Sequence, residues 1–147
     1  MKIDMEVEPL VRDTLYAVVR RDTAALEESM RAFPEGPATA KGVEIAAAVI
    51  LFVLLEAFGR KPNSQEIDAV SAKCAEMESW AEPDAEEIRT YIAALVAGQP
   101  MAELLPPESV VVLSFLIAGN LLASCHREDE KWWDMLDRAE AAAEAVR

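Results

Sequence analysis

The sequence has few of the residues on which catalytic and metal sites depend. Its 147 residues include one histidine, His126, and two cysteines, Cys74 and Cys125. It contains no GxxxxGK[ST], GxGxxG, GxSxG or HExxH motif. A catalytic metal site needs two or three His, Cys or carboxylate ligands at close spacing. The sequence therefore predicts no metal site and no cofactor, and it favours a protein that is not an enzyme.

Long hydrophobic runs and cysteine motifs are also missing. The two apolar runs, 45–55 and 110–118, are shorter than the roughly 20 residues of a membrane-spanning helix, so we expect no membrane span. Residues 1–6 lack the apolar region of a secretory signal. Neither cysteine belongs to a CxxC pair, and reduced thiols are typical of the cytoplasm. We therefore expect a cytoplasmic protein.

Basic residues are scarce. Lys and Arg number 14 against 27 Asp and Glu, which gives a formal net charge of −13. A nucleic-acid-binding protein needs basic groups that displace counterions from phosphates, so the composition argues against a nucleic-acid partner. Two interpretations of the acidity are open: it maintains solubility, or it forms an acidic face for a basic partner.

Aromatic residues make up only 6% of the chain, whereas apolar residues make up 52%. The core is therefore expected to consist mostly of Ala, Leu, Val and Ile. No segment alternates as a strand does, and the eight prolines fall where helical periodicity breaks. The sequence predicts one all-α domain over residues 1–147, a bundle of about six main helices. The apolar helices over 39–58 and 107–124 are expected to be central and buried on all sides.

Several helix ends can be predicted from local chemistry. Asn63 with Glu66, and Asp84 with Glu87, have the spacing of capping boxes. The first box opens a helix whose buried seam is expected to run from Ile67 to Ala81. Gly59 and Gly98 stand where helices should end, and the last helix is expected to begin near Glu128.

The order of the predicted elements also suggests an internal duplication. The halves 8–81 and 84–147 each run through an amphipathic helix, a short helix, an apolar helix and an amphipathic helix with tryptophan. The alternative is that such patterns recur by chance in an alanine-rich bundle.

The acidic residues are concentrated around Trp80. An aromatic residue surrounded by acids resembles a binding patch for a basic partner. The alternative is that Trp80 packs beneath the corner between two helices while the acids are solvated. Adjacent residues on a helix point in different directions, so Trp132 and Trp133 cannot both be buried, and Trp133 is a candidate contact for a homodimer or another chain. The predicted partner-binding residues are Glu76, Glu78, Trp80, Glu82, Asp84, Glu86 and Trp133.

Asn120 is the one amide within the second apolar helix. As a buried amide it needs hydrogen-bonding partners, and it would either fix the register of the helix or line a pocket. The small residues nearby, Ala118 and Gly119, fit a lipophilic cavity or close helix packing.

These observations favour a non-enzymatic, acidic protein-interaction module: an adaptor, an antagonist or an immunity-type inhibitor of a basic protein. The alternative is a helical bundle that binds a small lipophilic molecule, with Asn120 as its polar contact.

Overall fold

The computed structural model describes residues 1–34 and 36–146, and in this part of the chain the regular structure is entirely helical. The predicted all-α fold is confirmed. The described residues form seven α-helices and two single 3₁₀ turns, and the seven are the six main helices that were expected together with the short helix of the first half. The α-helices are α1 (Glu8–Val19), α2 (Thr23–Arg31), α3 (Pro37–Phe58), α4 (Ser64–Met77), α5 (Ala85–Ala97), α6 (Pro107–Cys125) and α7 (Trp132–Ala145). The 3₁₀ turns are Ser79–Ala81 and Met101–Glu103.

The first predicted capping box is confirmed. Asn63 Oδ1 accepts a hydrogen bond from the backbone N–H of Glu66, and the Glu66 carboxylate accepts one from the backbone N–H of Asn63, both at 2.9 Å. At α5, Asp84 caps the helix as predicted, but the Glu87 side chain does not accept a hydrogen bond from the backbone N–H of Asp84. The Glu87 carboxylate instead accepts a hydrogen bond of 3.3 Å from the Ser109 hydroxyl on α6.

Two helix boundaries differ from the predictions. α4 ends at Met77, short of the expected Ala81, because the chain turns through Ser79–Ala81 and Glu82 adopts a left-handed φ of 51°. α7 begins at Trp132 and not near Glu128. Residues 127–130 form a separate turn, closed by a hydrogen bond from the Glu130 N–H to the Arg127 carbonyl.

The apolar helices differ in how far they are buried. Ten consecutive residues of α6, from 113 to 122, are buried, so burial on all sides describes this helix well. α3 is buried along one face, through residues such as Ile45, Val49 and Val53, while Leu55 is 38% exposed. α6 packs against both α1 and α3, and it is the central helix of the bundle.

Glycines bring neighbouring segments close together at two points. A Cβ at Gly119 would lie 2.5 Å from Val18 Cγ1, so the absence of a side chain lets α1 approach α6. A Cβ at Gly42 would lie 2.7 Å from the ring of Phe33. The small residues of α6 thus serve close packing, and Gly119 faces α1 and not a cavity.

α3 and α6, at 22 and 19 residues, are long and apolar enough to cross a membrane by length and composition alone. The apolar runs counted in the sequence are shorter than the helices that contain them. Core helices of soluble proteins share these properties, so the absence of a membrane span stays a prediction.

The order of elements fits the proposed duplication, but the packing repeats only in part. α1 packs extensively on α6, whereas its counterpart α5 touches α3 only lightly. The duplication therefore stays a prediction.

Candidate functional site

Most of the acidic residues predicted around Trp80 are exposed in the structure. Glu76, Glu82, Asp84 and Glu86 are exposed at the turn between α4 and α5, and we call these four residues the acidic corner. The Asp84 carboxylate is occupied, because it accepts hydrogen bonds from the N–H groups of Glu86 and Glu87. The Glu86 carboxylate lies 3.5 Å from Arg89. The corner therefore presents carboxylates to solvent, with Arg89 beside Glu86.

Glu78 does not belong to this exposed surface, which corrects its expected placement. It is 3% exposed, and its carboxylate accepts hydrogen bonds of 2.8 Å from Trp80 Nε1 and 2.6 Å from Asn120 Nδ2. The side chain points inward because these two donors lie on the core side of the turn. The Glu78 carboxylate is thus engaged by two hydrogen bonds within the protein.

The same hydrogen bonds define the positions of Trp80 and Asn120. Trp80 is half-buried and packs against a small cluster that includes Val18, Leu26 and Leu116. The position of the tryptophan agrees with the alternative interpretation, since it packs beneath the corner, but of the surrounding acids Glu78 is buried while those of the acidic corner are solvated. Asn120 is 4% exposed and donates a hydrogen bond to Glu78, and this contact joins α6 to the end of α4.

A different surface contains the exposed tryptophan. Trp133 is 45% exposed at the start of α7, and Tyr16 on α1 is 46% exposed. The Tyr16 and Trp132 rings are stacked with centroids 5.8 Å apart and an angle of 13° between their planes. Trp133 stands at 84° to Trp132, at 5.9 Å. These rings border an open groove of about 430 Å³, called here the aromatic groove, lined by Arg12, Asp13, Tyr16, Trp132 and Trp133.

Sequence reasoning placed Trp133 on the outside but missed Tyr16. A signal was present, since Tyr16 falls outside the buried stripe of Val11, Leu15 and Val18 and so had to lie away from the core. Nothing local indicates that Tyr16 meets Trp132, because that contact depends on the docking of α7 against α1.

Arg12 links the groove to a cluster of carboxylates. Its guanidinium donates hydrogen bonds to Glu8 at 2.7 Å, to Asp137 at 2.7 Å and to Glu140 at 3.1 Å. Glu140 Oε2 is buried and accepts no hydrogen bond from the described residues. Burial, followed by the charge of Glu8, raises the pKa of Glu140 to about 7. The charge of Arg12 is therefore compensated within the protein.

A second ionic network fastens the turn before α7. Arg138 donates hydrogen bonds to Glu56 on α3 and to Glu130 in the turn. The bonds from Arg138 lower the pKa of Glu56, and they lower that of Glu130 to about 2. This network fixes the segment that leads into Trp132 and Trp133.

The remaining chemistry-bearing residues are dispersed. Within residues 1–34 and 36–146 no three His, Cys, Asp or Glu side chains are placed to hold a metal ion. His126 caps the end of α6, where its Nδ1 lies 2.8 Å from the Arg127 carbonyl oxygen. Burial raises the pKa of the Cys74 thiol to about 12. Comparison of the chain with protein-family models, curated proteins and solved structures gives no match.

Proposed function

We propose that this protein is a non-enzymatic interaction module that binds a basic protein partner, as an adaptor, antagonist or immunity-type inhibitor. The observation that carries the proposal is the aromatic groove, in which Tyr16 and Trp133 are each nearly half exposed on a chain of net charge −13. Exposed aromatic residues are enriched at protein interfaces, where they supply most of the apolar contact.

The acidic corner supports the same partner chemistry. Glu76, Glu82 and Glu86 point into solvent, and a basic surface would be attracted to them before contact. We propose that the groove supplies the anchor of the interface and that the corner supplies electrostatic complementarity. The corner acts on the rate and specificity of association more than on the lifetime of the complex.

The lipophilic-ligand alternative has less support. Asn120 is already engaged by Glu78, and Val18 fills the space beside Gly119. A narrow hollow beside Ile45, Val49 and Ala139 has no volume that a water molecule could enter. No specific observation favours this function over protein binding.

The test begins with capture from a lysate of the native host at low and at high salt. A captured basic protein is purified, and its affinity is measured for the unaltered chain, for W133A and for the triple charge reversal Glu76→Lys, Glu82→Lys and Glu86→Lys. Asp84 and Glu78 are left unchanged because the first caps α5 and the second is buried. Glu103→Lys, an exposed reversal in the second 3₁₀ turn, is the matched control.

We expect W133A and the triple reversal to weaken binding, the triple variant to reduce its salt dependence, and Glu103→Lys to leave it unchanged. A captured partner that binds all variants equally contradicts the proposal. So does a chain that captures nothing and behaves as a homodimer through Trp133.

A further inference from the structure

We propose that the aromatic groove is a binding site for an arginine side chain of the partner. This inference rests on the proposed function, and it adds the chemistry of the group that enters the groove. It concerns the space between α1 and α7, bordered by Tyr16, Trp132 and Trp133.

The ring geometry provides two aromatic walls. Tyr16 and Trp132 are nearly parallel, and Trp133 stands almost perpendicular to Trp132. Two walls at right angles allow a flat cation to lie on one ring face while the edge of another ring closes the side. Trp is the ring that attracts cations best, and arginine is the side chain found most often over such rings.

The protein already places a guanidinium on this ring system. The Arg20 guanidinium carbon lies 4.3 Å from the centroid of the Tyr16 ring. Trp132 and Arg20 already lie against Tyr16, so Trp133, which is 45% exposed, is the ring open to a further cation. A guanidinium is planar and more weakly hydrated than an ammonium group, so it loses less on leaving water for a ring face. These properties favour arginine over lysine as the occupant.

Arg20 adds one positive charge beside the groove, at the Tyr16 ring, and Asp13 supplies a carboxylate for an incoming cation. Asp13 lines the groove one helical turn before Tyr16, and it belongs to no ion pair among the residues that the structure describes. Arg12, the basic residue of the lining, is engaged by three carboxylates. Between residues 127 and 145 the sequence has seven acidic residues against three basic ones. An arginine entering the groove would meet Asp13 without displacing an existing ion pair.

The same charge argues against a second copy of the chain as the occupant. Two copies would each carry a formal net charge of −13 over the whole chain. Their repulsion is unfavourable at low ionic strength, which is the condition that strengthens binding of a cation.

The test uses the full ¹⁵N-labelled chain and three acetylated, amidated glycine-rich peptides that carry arginine, lysine or citrulline at the same positions. The chain has three tryptophans, so its spectrum contains three indole N–H resonances. The indole of Trp80, hydrogen-bonded to buried Glu78, is an internal reference. We expect the arginine peptide to shift the Trp132 and Trp133 resonances saturably and to leave that of Trp80 unchanged. Lysine should bind more weakly, and uncharged citrulline should have no effect.

The second part of the test measures peptide binding to variants of the chain. W133A should lower the affinity for the arginine peptide by about two- to thirty-fold, the range of a cation–π contact. Asp13→Asn should also weaken it and should reduce its salt dependence. The matched controls, Leu104→Ala and Glu103→Gln, remove an exposed apolar group and an exposed charge elsewhere and should bind as the unaltered chain does. W133F, which retains a ring, is expected to keep part of the affinity.

The inference is overturned if the arginine peptide leaves Trp132 and Trp133 unshifted, if citrulline binds as well as arginine, or if Asp13→Asn has no effect. It is also overturned if the two resonances shift with protein concentration alone, which would indicate a second copy. If a partner depends on Trp133 but the peptides do not bind, the arginine site is contradicted and the proposed function stands. If the arginine peptide binds but no partner depends on Trp133, the arginine site stands and the proposed function is contradicted.

Discussion

Asn120 on α6 and Glu78 at the end of α4, 42 residues apart in the chain, are joined by a buried hydrogen bond of 2.6 Å. Trp80 Nε1 donates to the same carboxylate at 2.8 Å, so one side chain fixes both the turn after α4 and the central helix. No Lys, Arg or His of the described residues forms an ion pair with Glu78. These two hydrogen bonds are therefore what compensates its burial.

Glu78→Gln should destabilise the fold. Glutamine keeps one oxygen for Trp80 Nε1, but it presents its amide N–H to Asn120, whose own amide must turn so that its oxygen accepts, and both hydrogen bonds lose the carboxylate charge. A hydrogen bond to a charged group contributes about 1.5–3 kcal/mol and a neutral one about 1 kcal/mol, so the change costs about 1–3 kcal/mol in the free energy of unfolding. Urea denaturation measures this cost. Glu76→Gln, two residues away and exposed, should change stability by no more than about 0.5 kcal/mol. Equal stability of the two variants would show that the Glu78 hydrogen bonds contribute little.

Glu140 should make the stability of the protein decrease as pH rises towards neutrality. Its folded-state pKa of about 7 lies above the ordinary value of 4.5 because the carboxyl is buried beside Glu8. Between these pH values the folded chain binds more protons than the unfolded chain, so the free energy of unfolding falls as pH rises from about 4.5 to about 7. The expected loss from this group is about 1–3 kcal/mol.

Glu140→Gln isolates that contribution. Glutamine stays neutral and keeps an oxygen for the Arg12 hydrogen bond, so the variant should be more stable than the unaltered chain at pH 8 and nearly equal to it at pH 4.5. Urea denaturation at both pH values makes the comparison. Glu144→Gln, one turn further along α7 and exposed, should show no such difference between the two pH values. A Glu140→Gln effect that is the same at both would refute the assignment to ionisation.

Gly119→Ala should force α1 and α6 apart. The added Cβ would lie 2.5 Å from Val18 Cγ1 and 2.7 Å from its Cβ, both far inside contact distance. Overpacking of this kind costs about 1–3 kcal/mol, which exceeds the gain of about 1 kcal/mol from replacing glycine within a helix.

Val18→Gly provides the matched background, because it removes both atoms that the added methyl group would meet. The next nearest atom, the Leu15 carbonyl oxygen, is 3.5 Å away, so Gly119→Ala should be neutral or stabilising there. A double-mutant cycle of unfolding free energies measures the coupling. Additive effects of the two substitutions would place the cost of Gly119→Ala elsewhere than at Val18.

The features that sequence reasoning predicted correctly are local ones. The capping box at Asn63, the cap at Asp84 and the helix ends at Gly59 and Gly98 depend on residues a few positions apart. The all-α class likewise follows from helical periodicity and from the absence of strand alternation. These features depend on local backbone chemistry, which a single sequence contains.

The features that were missed depend on contacts between distant segments. Glu78 stands among exposed acids in sequence, and only the approach of α6 brings Asn120 within reach of it. Glu140 is buried because α7 docks on α1, and α3 stays partly exposed because its partners cover one face. Residue type alone does not decide which way these side chains point, because the packing of distant segments does.

Cys74 should react with a thiol reagent only when the packing around α4 opens. It is 1% exposed, and burial with the nearby charge of Glu78 raises its pKa to about 12. Its reactive thiolate is therefore scarce in the folded state. Cys125 is half-exposed, so Cys125→Ser leaves one thiol whose labelling rate reports the opening.

Cys74 is one turn before Glu78, and its carbonyl accepts the Glu78 N–H at 2.9 Å. If the Glu78 hydrogen bonds close this region, Glu78→Gln in the Cys125→Ser background should speed labelling by about 5- to 150-fold, the equivalent of 1–3 kcal/mol.

Glu76→Gln in the same background should label at the rate of Cys125→Ser alone. Loss of the Glu78 charge also favours the thiolate, so the rates are compared over a range of pH. A faster opening accelerates labelling by the same factor at every pH, whereas a change in the pKa of Cys74 shifts the pH profile sideways. A sideways shift without a common factor would mean that Glu78 acts on Cys74 through its charge alone and that its hydrogen bonds to Trp80 and Asn120 do not hold α4 against α6.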